Sequence, residues 1–312
     1  MVKESPSGGI ARFNKMMHLV GSGGIPPVEY HRPRELRTAL TLIGELQDHC
    51  RIIAGGTDII PAIRKGILFP SFGHMVDLSF VKELSYIRKM DGWICIGPVT
   101  RLAEVGDSEM IREYVPILPE AIQHIGSLQI RNQGTIGGNL CNASPAADTA
   151  PPLLTLEAKV LLKSMKQERV IPLDQFFLGP GKTILAPGEI LAEIQIPIPQ
   201  NGGSFCFLKL GRRNAFTLSI VSVATWVKVE KETFQAIRIA LGAVAPTPKR
   251  ALKTEEYLAG QKVSEETISS GAKLVSEEVQ PISDVRASAD YRKDMANILT
   301  RRAILSCVTP GK

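Results

Sequence analysis

Two glycine-rich stretches interrupt a chain whose other segments carry regular apolar patterns, and they constrain its fold most. The longer is "GTIGGNLCNASPAAD" (134–148), which holds three glycines, two asparagines, one proline and one aspartate. This composition disfavours both helix and strand interiors. The shorter is "AGGTD" (54–58), which lies about 80 residues upstream. The chain must therefore place two irregular loops among its regular elements.

The chemistry of glycine indicates what such loops can hold. Glycine permits positive φ angles and lets the backbone approach a ligand closely. Successive backbone N–H groups in such a turn form an anion-binding nest. "AGGTDII" also leads into a predicted helix with Thr57 as a candidate N-cap, and a helix N-terminus favours phosphate. One Gly-Gly turn alone is more often structural, but two of them fit a diphosphate held from both sides.

Composition narrows the class of protein. The 312 residues are 44% hydrophobic and 22% charged, which is enough for a packed core and argues against disorder. The net charge of +6 is spread along the chain without a basic block, so we expect neither nucleic acid nor a polybasic membrane contact. No apolar run approaches a membrane span, and residues 1–25 read as a flexible extension rather than a signal peptide. A cytoplasmic location is the expectation.

The cysteines are too far apart for a shared site. Consecutive cysteines are separated by at least 45 residues, and their number is five. No C-x-x-C or Cys/His cluster occurs, so the spacing supports neither a disulfide framework nor a zinc or iron–sulfur site in this chain. We expect free thiols in or near the core.

Helix and strand patterns alternate along the first two thirds of the chain. An amphipathic helix is predicted over 33–48, followed by a short buried strand, "CRIIAGG" (50–56), and by another strand at 93–100. Proline, glycine and polar residues cluster at 197–204, where we place a domain boundary. The G-x-G-x-x-G of a Rossmann fold between strand and helix is absent.

The segment after this boundary predicts a sheet closed by a helix. "SFCFLKLG", "SIVSVATWVKVE" and "AIRIALGAVA" are strand candidates, and "WVKVE" with "KETFQAIRIA" predicts a hairpin. A helix is predicted over 288–307. Its apolar face would comprise Tyr291, Met295, Ile298, Leu299 and Ile304.

Five segments, in order, resemble the flavin domain of the molybdenum-containing hydroxylases, the family of xanthine dehydrogenase and carbon monoxide dehydrogenase. They are "RIIAGGTDIIPAIRKG", "RNQGTIGGNLCNASPAADTAPPLL", "GPGKTILAPGEILAEIQIPIP", "FLKLGRRNAFTLSIVSVA" and "DVRASADYRKDMANILTRRAI". The resemblance implies an α+β fold. A PCMH-type FAD-binding domain of two α+β subdomains (26–200) would precede an α+β domain like the C-terminal domain of the CO dehydrogenase flavoprotein (204–307).

The resemblance also implies which residues bind FAD. Lys209 would stabilise the reduced, anionic flavin, and Leu191 would pack on its ring. Asp148 matches another position that contacts the cofactor. The two glycine loops match the positions that approach the diphosphate: Ile52, Ile53, Ala54, Gly55, Gly56, Thr57, Asp58 and Ile59 in the first, and Thr135, Ile136, Gly137, Gly138 and Asn139 in the second.

Some of these residues also have a purely structural interpretation. Asp58 and Asp148 could cap turns or helices, and Leu191 on its own would be a core leucine. Arg286, Tyr291 and Arg292 in the last segment are interpreted as structural residues that tie helix to sheet. No histidine lies in a matching motif, so the resemblance implies non-covalent FAD.

The implied function is electron transfer within a larger complex. The chain would be the FAD-binding medium subunit, with a molybdopterin-binding large subunit and a 2Fe–2S small subunit, as a dimer of heterotrimers. Its substrate (CO, an aldehyde, a purine or another N-heterocycle) and its final acceptor (NAD, a quinone, a cytochrome or oxygen) stay open. A stand-alone PCMH-type flavin oxidoreductase is the alternative enzyme, and an interaction subunit without FAD is the non-enzymatic one.

Overall fold

The computed structural model describes residues 28–65, 72–199, 202–213 and 217–309. The predicted extension over residues 1–25 lies outside these described residues. Within them the chain adopts an α+β fold, as the sequence predicts, built around separate sheets. None of the helices in the described ranges is both long and apolar enough to cross a membrane.

The first sheet is small, parallel and built from the start of the described chain. Its elements are β1 (Glu29–His31), α1 (Leu36–Leu46), β2 (Cys50–Ile53), α2 (Ile59–Arg64) and β3 (His74–Asp77), with strand order β1-β3-β2. The predicted helix over 33–48 is confirmed as α1, which buries Ala39, Leu40 and Ile43. β2 is half-buried rather than buried as predicted, because it is an edge strand and exposes Arg51 and Ile52.

The second sheet is antiparallel and carries most of the core. Helices α3 (Leu102–Asp107), α4 (Glu109–Tyr114), α5 (Ile117–Gln123), α6 (Leu128–Gln133), α7 (Ile136–Cys141) and α8 (Ala150–Thr155) follow its first two strands. The strands of this region are β4 (Ile87–Met90), β5 (Trp93–Ile96), β6 (Lys159–Lys163), β7 (Glu168–Pro172), β8 (Phe177–Gly179), β9 (Lys182–Thr183) and β10 (Ile190–Pro197). The sheet order is β4-β5-β10-β6-β7, while β8 and β9 pair separately.

The last sheet is an antiparallel meander, as the strand patterns predict. It contains β11 (Ser204–Leu210), β12 (Val221–Glu230), β13 (Thr233–Gly242) and β14 (Lys249–Arg250), in that order. The predicted hairpin is confirmed, since Glu230 pairs with Thr233 at its end. Helices α9 (Leu252–Leu258), α10 (Glu265–Glu278) and α11 (Ala289–Val308) complete the region.

The buried face of α11 matches the predicted one at Leu299 and Ile304 but differs from it elsewhere. Tyr291 and Ile298 are 44% and 38% exposed, so their assignment to the core face is wrong. Ala296 and Ala303 are fully buried instead, beside the buried Leu299. The helix packs against β11, β12 and α10, and alanine allows a close approach that a large side chain would prevent.

The last sheet packs on the rest of the molecule through both apolar and charged contacts. Phe207 of β11 belongs to the main hydrophobic core beside the second sheet. The Glu157 carboxylate lies 2.6 Å from the Arg238 guanidinium and 3.0 Å from that of Arg250. The five cysteines are free thiols, four of them buried and Cys141 half-buried, which confirms the expectation from their spacing.

Candidate functional site

The first glycine loop (54–58) connects β2 to α2 and packs directly against the chain that precedes the second loop. A Cβ on Gly55 would lie 2.2 Å from the Gln133 carbonyl oxygen and 2.8 Å from Gly134 Cα. No side chain fits there, so glycine at this position is what allows the two loops to touch. Gly56 adopts φ of +71°, a conformation that glycine reaches without strain.

The backbone N–H groups of this first loop are open. Among the described residues, those of Gly55, Gly56, Thr57 and Asp58 donate to no protein acceptor. Four successive open amides around a left-handed glycine form the kind of nest that binds an anion. The sequence placed the helix N-cap at Thr57, but α2 begins at Ile59, so Asp58 is the N-cap and this assignment was wrong. The Asp58 side chain accepts no capping hydrogen bond either.

The second glycine stretch was predicted to be an irregular loop, and this is wrong for residues 136–141, which form helix α7. What we call the second loop is therefore the N-cap and first turn of α7, and hydrogen bonds hold it in place. Thr135 is the N-cap of α7, and its hydroxyl oxygen accepts a 3.1 Å bond from the Gly138 N–H. The Gly137 N–H donates to the Pro98 carbonyl at 2.8 Å, the Ile136 N–H to the Thr100 carbonyl and the Asn139 N–H to the Thr135 carbonyl. These four amides already have partners, so the loop is a rigid wall rather than a second amide nest.

The glycines of the second loop have different surroundings. A Cβ on Gly137 would lie 2.4 Å from Pro98 Cβ and 2.6 Å from the Pro98 carbonyl oxygen, so this glycine is required for packing. A Cβ on Gly138 would meet only the Thr135 hydroxyl oxygen, at 2.9 Å. Gly138 therefore leaves bare backbone facing otherwise open space, which is what close approach to a ligand requires.

Both loops line one cleft of about 450 Å³. The structure thus brings the two glycine loops together, as the sequence predicts for a shared ligand. The cleft is lined by Ala54, Gly55, Ser79, Phe80, Ser85, Val99, Arg101, Glu104, Gln133 and Thr135. Sequence reasoning missed Ser79 and Arg101. The position of Arg101 depends on its bridge to Thr135, a long-range pairing that no local pattern predicts.

Asp148 and Lys209, predicted separately, form a buried ion pair. The Lys209 ammonium lies 2.7 Å from the Asp148 carboxylate, and each side chain is 6% exposed. The Ser219 hydroxyl donates to the other carboxylate oxygen at 2.5 Å, and Lys209 also donates to the His124 carbonyl at 2.8 Å. Burial raises the pKa of the Asp148 carboxyl above its ordinary value, and the Lys209 ammonium opposes that rise.

A hydrogen bond connects this ion pair to the second loop. The Thr149 hydroxyl donates to the Asn139 side-chain oxygen at 2.6 Å, and Thr149 directly follows Asp148. Asn139 therefore fixes the chain that carries the buried carboxylate. Asp148 therefore forms an ion pair, and it is not the N-cap of any helix among the described residues.

Three of the predicted site residues lie in hydrophobic packing instead of lining the cleft. Leu191 is 4% exposed, pairs with Leu162 on β6 and belongs to the main core. Ile53 and Ile59 pack in a small cluster with Met75 beneath the first loop. Ile52, on the opposite face of β2 from Ile53, is 37% exposed.

The described chain is thus an α+β protein with a turn of open backbone amides at its first glycine loop and a buried ion pair after its second. Two family models match the chain. The FAD binding domain in molybdopterin dehydrogenase matches residues 26–199, and the CO dehydrogenase flavoprotein C-terminal domain matches residues 206–307. The chain belongs to the family of FAD-binding domains of molybdopterin dehydrogenases, which are oxidoreductases, and FAD is the cofactor of this domain.

The similarity extends over almost the whole chain. The glyceraldehyde dehydrogenase medium chain of Sulfolobus acidocaldarius is 32% identical, over 89% of this chain and 97% of that one. The carbon monoxide dehydrogenase medium chain of Hydrogenophaga pseudoflava is 31% identical, over 90% and 97%. A solved structure of carbon monoxide dehydrogenase from the same organism, lacking the Mo-pyranopterin moiety of its cofactor, superposes with a TM-score of 0.88 at 30% identity, covering 91% of this chain and 98% of that one.

The described residues fit the diphosphate of FAD. The open amides from Gly55 to Asp58 supply neutral donors for an anion, and the left-handed conformation of Gly56 is typical of anion-binding turns. The adjoining cleft offers both an apolar wall at Phe80 and Val99 and polar groups at Ser79 and Arg101. A flat ring system joined to a diphosphate needs this combination of surfaces.

Proposed function

We propose that this chain is the FAD-binding medium subunit of a molybdenum-containing dehydrogenase complex, and that it relays electrons from the 2Fe–2S clusters of a partner to an external acceptor. The observation that carries the proposal is the shared cleft, in which Gly55 and Thr135 from two separate loops meet beside four open amides. Relatives named medium chains of dehydrogenases match this chain over most of its length.

In this proposal the first loop binds the diphosphate. The N–H groups of Gly55, Gly56, Thr57 and Asp58 donate to phosphate oxygens, because nothing described in the protein occupies them. Ala54 lines the cleft, while Ile53 and Ile59 anchor the two ends of the loop in a hydrophobic cluster and Ile52 lies on the opposite, more exposed face of β2.

The second loop supplies a fixed wall. Hydrogen bonds to the carbonyls of Pro98 and Thr100 hold Gly137 and Ile136 in place. The surface at Thr135 and Gly138 therefore does not have to reorganise when the cofactor binds. Asn139 continues this wall toward Asp148 through Thr149.

Asp148 and Lys209 form a buried pair of opposite charges that is connected to this wall through Thr149, and Leu191 belongs to the main core that also contains Ile136. FAD, when bound here, supplies an acceptor for two electrons that can also release them one at a time. The Lys209 ammonium is positioned by two acceptors, the Asp148 carboxylate and the His124 carbonyl. This fixed cation favours negative charge placed nearby and needs no reorganisation during electron uptake.

Relatives named as medium chains or subunits of dehydrogenases support the presence of partner subunits. We propose a molybdopterin-binding large subunit and a 2Fe–2S small subunit, assembled with this chain as a dimer of heterotrimers. The chain divides into an FAD-binding domain (26–200) and a C-terminal domain (204–307), and FAD binds non-covalently.

The five free thiols are typical of a reducing compartment, which supports a cytoplasmic location. The large subunit determines the substrate.

The experiment that tests the relay compares the chain alone with the chain co-expressed with its partners. Flavin absorbance is followed by stopped flow after mixing with an aldehyde, a purine or CO. We expect flavin reduction within the complex and little reduction in the isolated, FAD-loaded chain. A chemical reductant such as dithionite is the positive control for the isolated chain. Rapid reduction of the isolated chain by one of the substrates would replace the relay with a stand-alone flavin oxidoreductase.

A further inference from the structure

Three potential metal ligands meet on one face of the first sheet, the face that also carries Ile52 of β2. Glu29 and His31 are two residues apart on β1, so their side chains point to the same face of the sheet. The parallel register pairs Glu29 with His74 on β3, and paired residues of neighbouring strands share a face. The geometry of the sheet therefore brings two imidazoles and one carboxylate together.

The distances between these groups are those of ligands around a single ion. His31 Nε2 lies 3.0 Å from His74 Nδ1, and His74 Nδ1 lies 3.5 Å from the nearer oxygen of Glu29. All three ligand atoms lie within 4.8 Å of one another. Ligands bonded to Zn²⁺ at roughly 2.0–2.1 Å in tetrahedral geometry are about 3.4 Å apart, so small side-chain rotations would suffice.

The surroundings suit a small cation that enters from solvent. His31 is 7% exposed, which fixes one ligand in the protein. The side chains of His74 and Glu29 are 28% and 35% exposed, which leaves an approach path and an open coordination position for water. The two imidazole rings are stacked with their centroids 5.3 Å apart, so their orientation is already restricted.

We propose that Glu29, His31 and His74 form a binding site for one divalent transition-metal ion of the Zn²⁺ class. Two imidazoles and a carboxylate favour Zn²⁺, Cu²⁺, Ni²⁺ or Fe²⁺ over Mg²⁺ and Ca²⁺, which prefer oxygen ligands only.

A metal ion here would fasten the first strand of the described chain. β1 is an edge strand of three residues and pairs only with β3 in the described sheet. An ion bonded to side chains from both strands adds a cross-link that the short ladder lacks. Because the ion binds the folded state alone, it raises stability in proportion to the logarithm of its concentration over Kd.

The test uses the full chain after removal of metal with a chelator, titrated with ZnCl₂ in a calorimeter at pH 7.5. We expect one equivalent of Zn²⁺ to bind, no binding of Mg²⁺, and a melting temperature that rises with Zn²⁺. His31→Gln and His74→Gln should each weaken Zn²⁺ binding roughly tenfold or more. His49→Gln, at an exposed position outside the cluster, is the matched control and should leave binding unchanged.

Two further measurements keep the proposal falsifiable. The melting temperature without metal shows whether each variant folds, and Glu29→Gln supplies a milder change at a partly exposed ligand. If wild-type protein binds no Zn²⁺, the histidine pair is only a hydrogen-bonded contact and the proposal is overturned. Equal Zn²⁺ binding by wild type and folded His31→Gln and His74→Gln variants would overturn it as well. The Zn²⁺ titration does not depend on flavin content. A negative result would therefore leave the proposed electron relay intact.

Discussion

The ammonium of Lys209 lies 2.7 Å from the carboxylate of Asp148, and both side chains are almost fully buried. Lys209 belongs to β11 in the last sheet, whereas Asp148 is the last residue of the second glycine-rich stretch (134–148). The pair thus joins the two family-defined parts of the chain at the end of the proposed flavin site. Breaking it should affect both stability and cofactor binding.

Asp148→Asn should lower the free energy of unfolding by roughly 3 kcal/mol. The substitution leaves the Lys209 ammonium buried without a counter-charge, which is the costly way to break such a pair. The double variant Asp148→Asn/Lys209→Met should regain part of the loss, since it removes both charges. Urea unfolding of the wild type, the two single variants and the double variant, all without FAD, measures this coupling as a double-mutant cycle.

The matched control for this cycle is an exposed ion pair. Lys163 and Glu168 pair between β6 and β7, with side chains 29% and 51% exposed. Glu168→Gln should change the unfolding free energy by less than about 0.5 kcal/mol, because solvent screens the interaction. Strictly additive losses at Asp148 and Lys209 would contradict the coupling that we infer from their distance.

Gly138→Val should abolish FAD binding while the protein stays folded. The added side chain would displace only the Thr135 hydroxyl, at a cost of about 1 kcal/mol for the helix cap, and would then fill the space beside the loop. Flavin content after purification and titration with FAD measure the effect. Gly44→Val is the control, because a Cβ at Gly44 meets nothing within 4 Å. Normal flavin content in a soluble Gly138→Val protein would show that this loop does not approach the cofactor.

Gly55→Ala should weaken both the fold and FAD binding. Its Cβ would collide with the Gln133 carbonyl oxygen and Gly134 Cα, which are backbone atoms and cannot rotate away. The loops would have to separate, at a cost of roughly 2–3 kcal/mol by analogy with overpacked cores. Thermal unfolding and FAD titration check both effects. Gly179→Ala, with nothing within 4 Å of its added Cβ, should change neither, and an unaffected Gly55→Ala protein would contradict the close loop contact.

Local patterns predicted the parts of this site that depend on backbone chemistry. Glycines at 55–56 and 137–138 predicted two ligand-facing loops, and the structure brings Gly55 and Thr135 to one cleft, although Gly137 packs against Pro98 within helix α7. Alternating apolar residues predicted the meander from β11 to β13, because side chains of a strand alternate between its faces.

Long-range packing determined what the sequence could not reveal. Ile136 and Gly137 were assigned to a loop that approaches the diphosphate, but their amides donate to the carbonyls of Thr100 and Pro98, nearly 40 residues away. The face of α11 was predicted from the helical spacing of its large apolar residues, whereas the folded helix also buries alanines at 296 and 303 and exposes Tyr291 and Ile298. Arg101 lines the cleft because its backbone pairs with Thr135 in one isolated β-bridge. Such contacts leave no periodic trace in a single sequence.

The last prediction concerns the pH dependence of stability. The Arg169 guanidinium donates to both oxygens of Glu189, at 2.9 and 2.7 Å, and these bonds hold the pKa of that carboxyl below its ordinary value of 4.5. The folded protein therefore binds this proton less readily than the unfolded chain. The stabilisation is fully present above pH 4.5 and is lost as the pH falls through the folded-state pKa.

Glu189→Gln should therefore lower the free energy of unfolding by roughly 2 kcal/mol at pH 7, less than for a fully buried pair because Arg169 is 32% exposed. The difference from wild type should shrink as the pH falls below 4.5, since a protonated Glu189 resembles glutamine. Urea unfolding at a series of pH values measures it, with Glu168→Gln as the exposed control. A difference that stayed constant down to pH 3 would mean that packing, and not the charge on Glu189, carries the stabilisation.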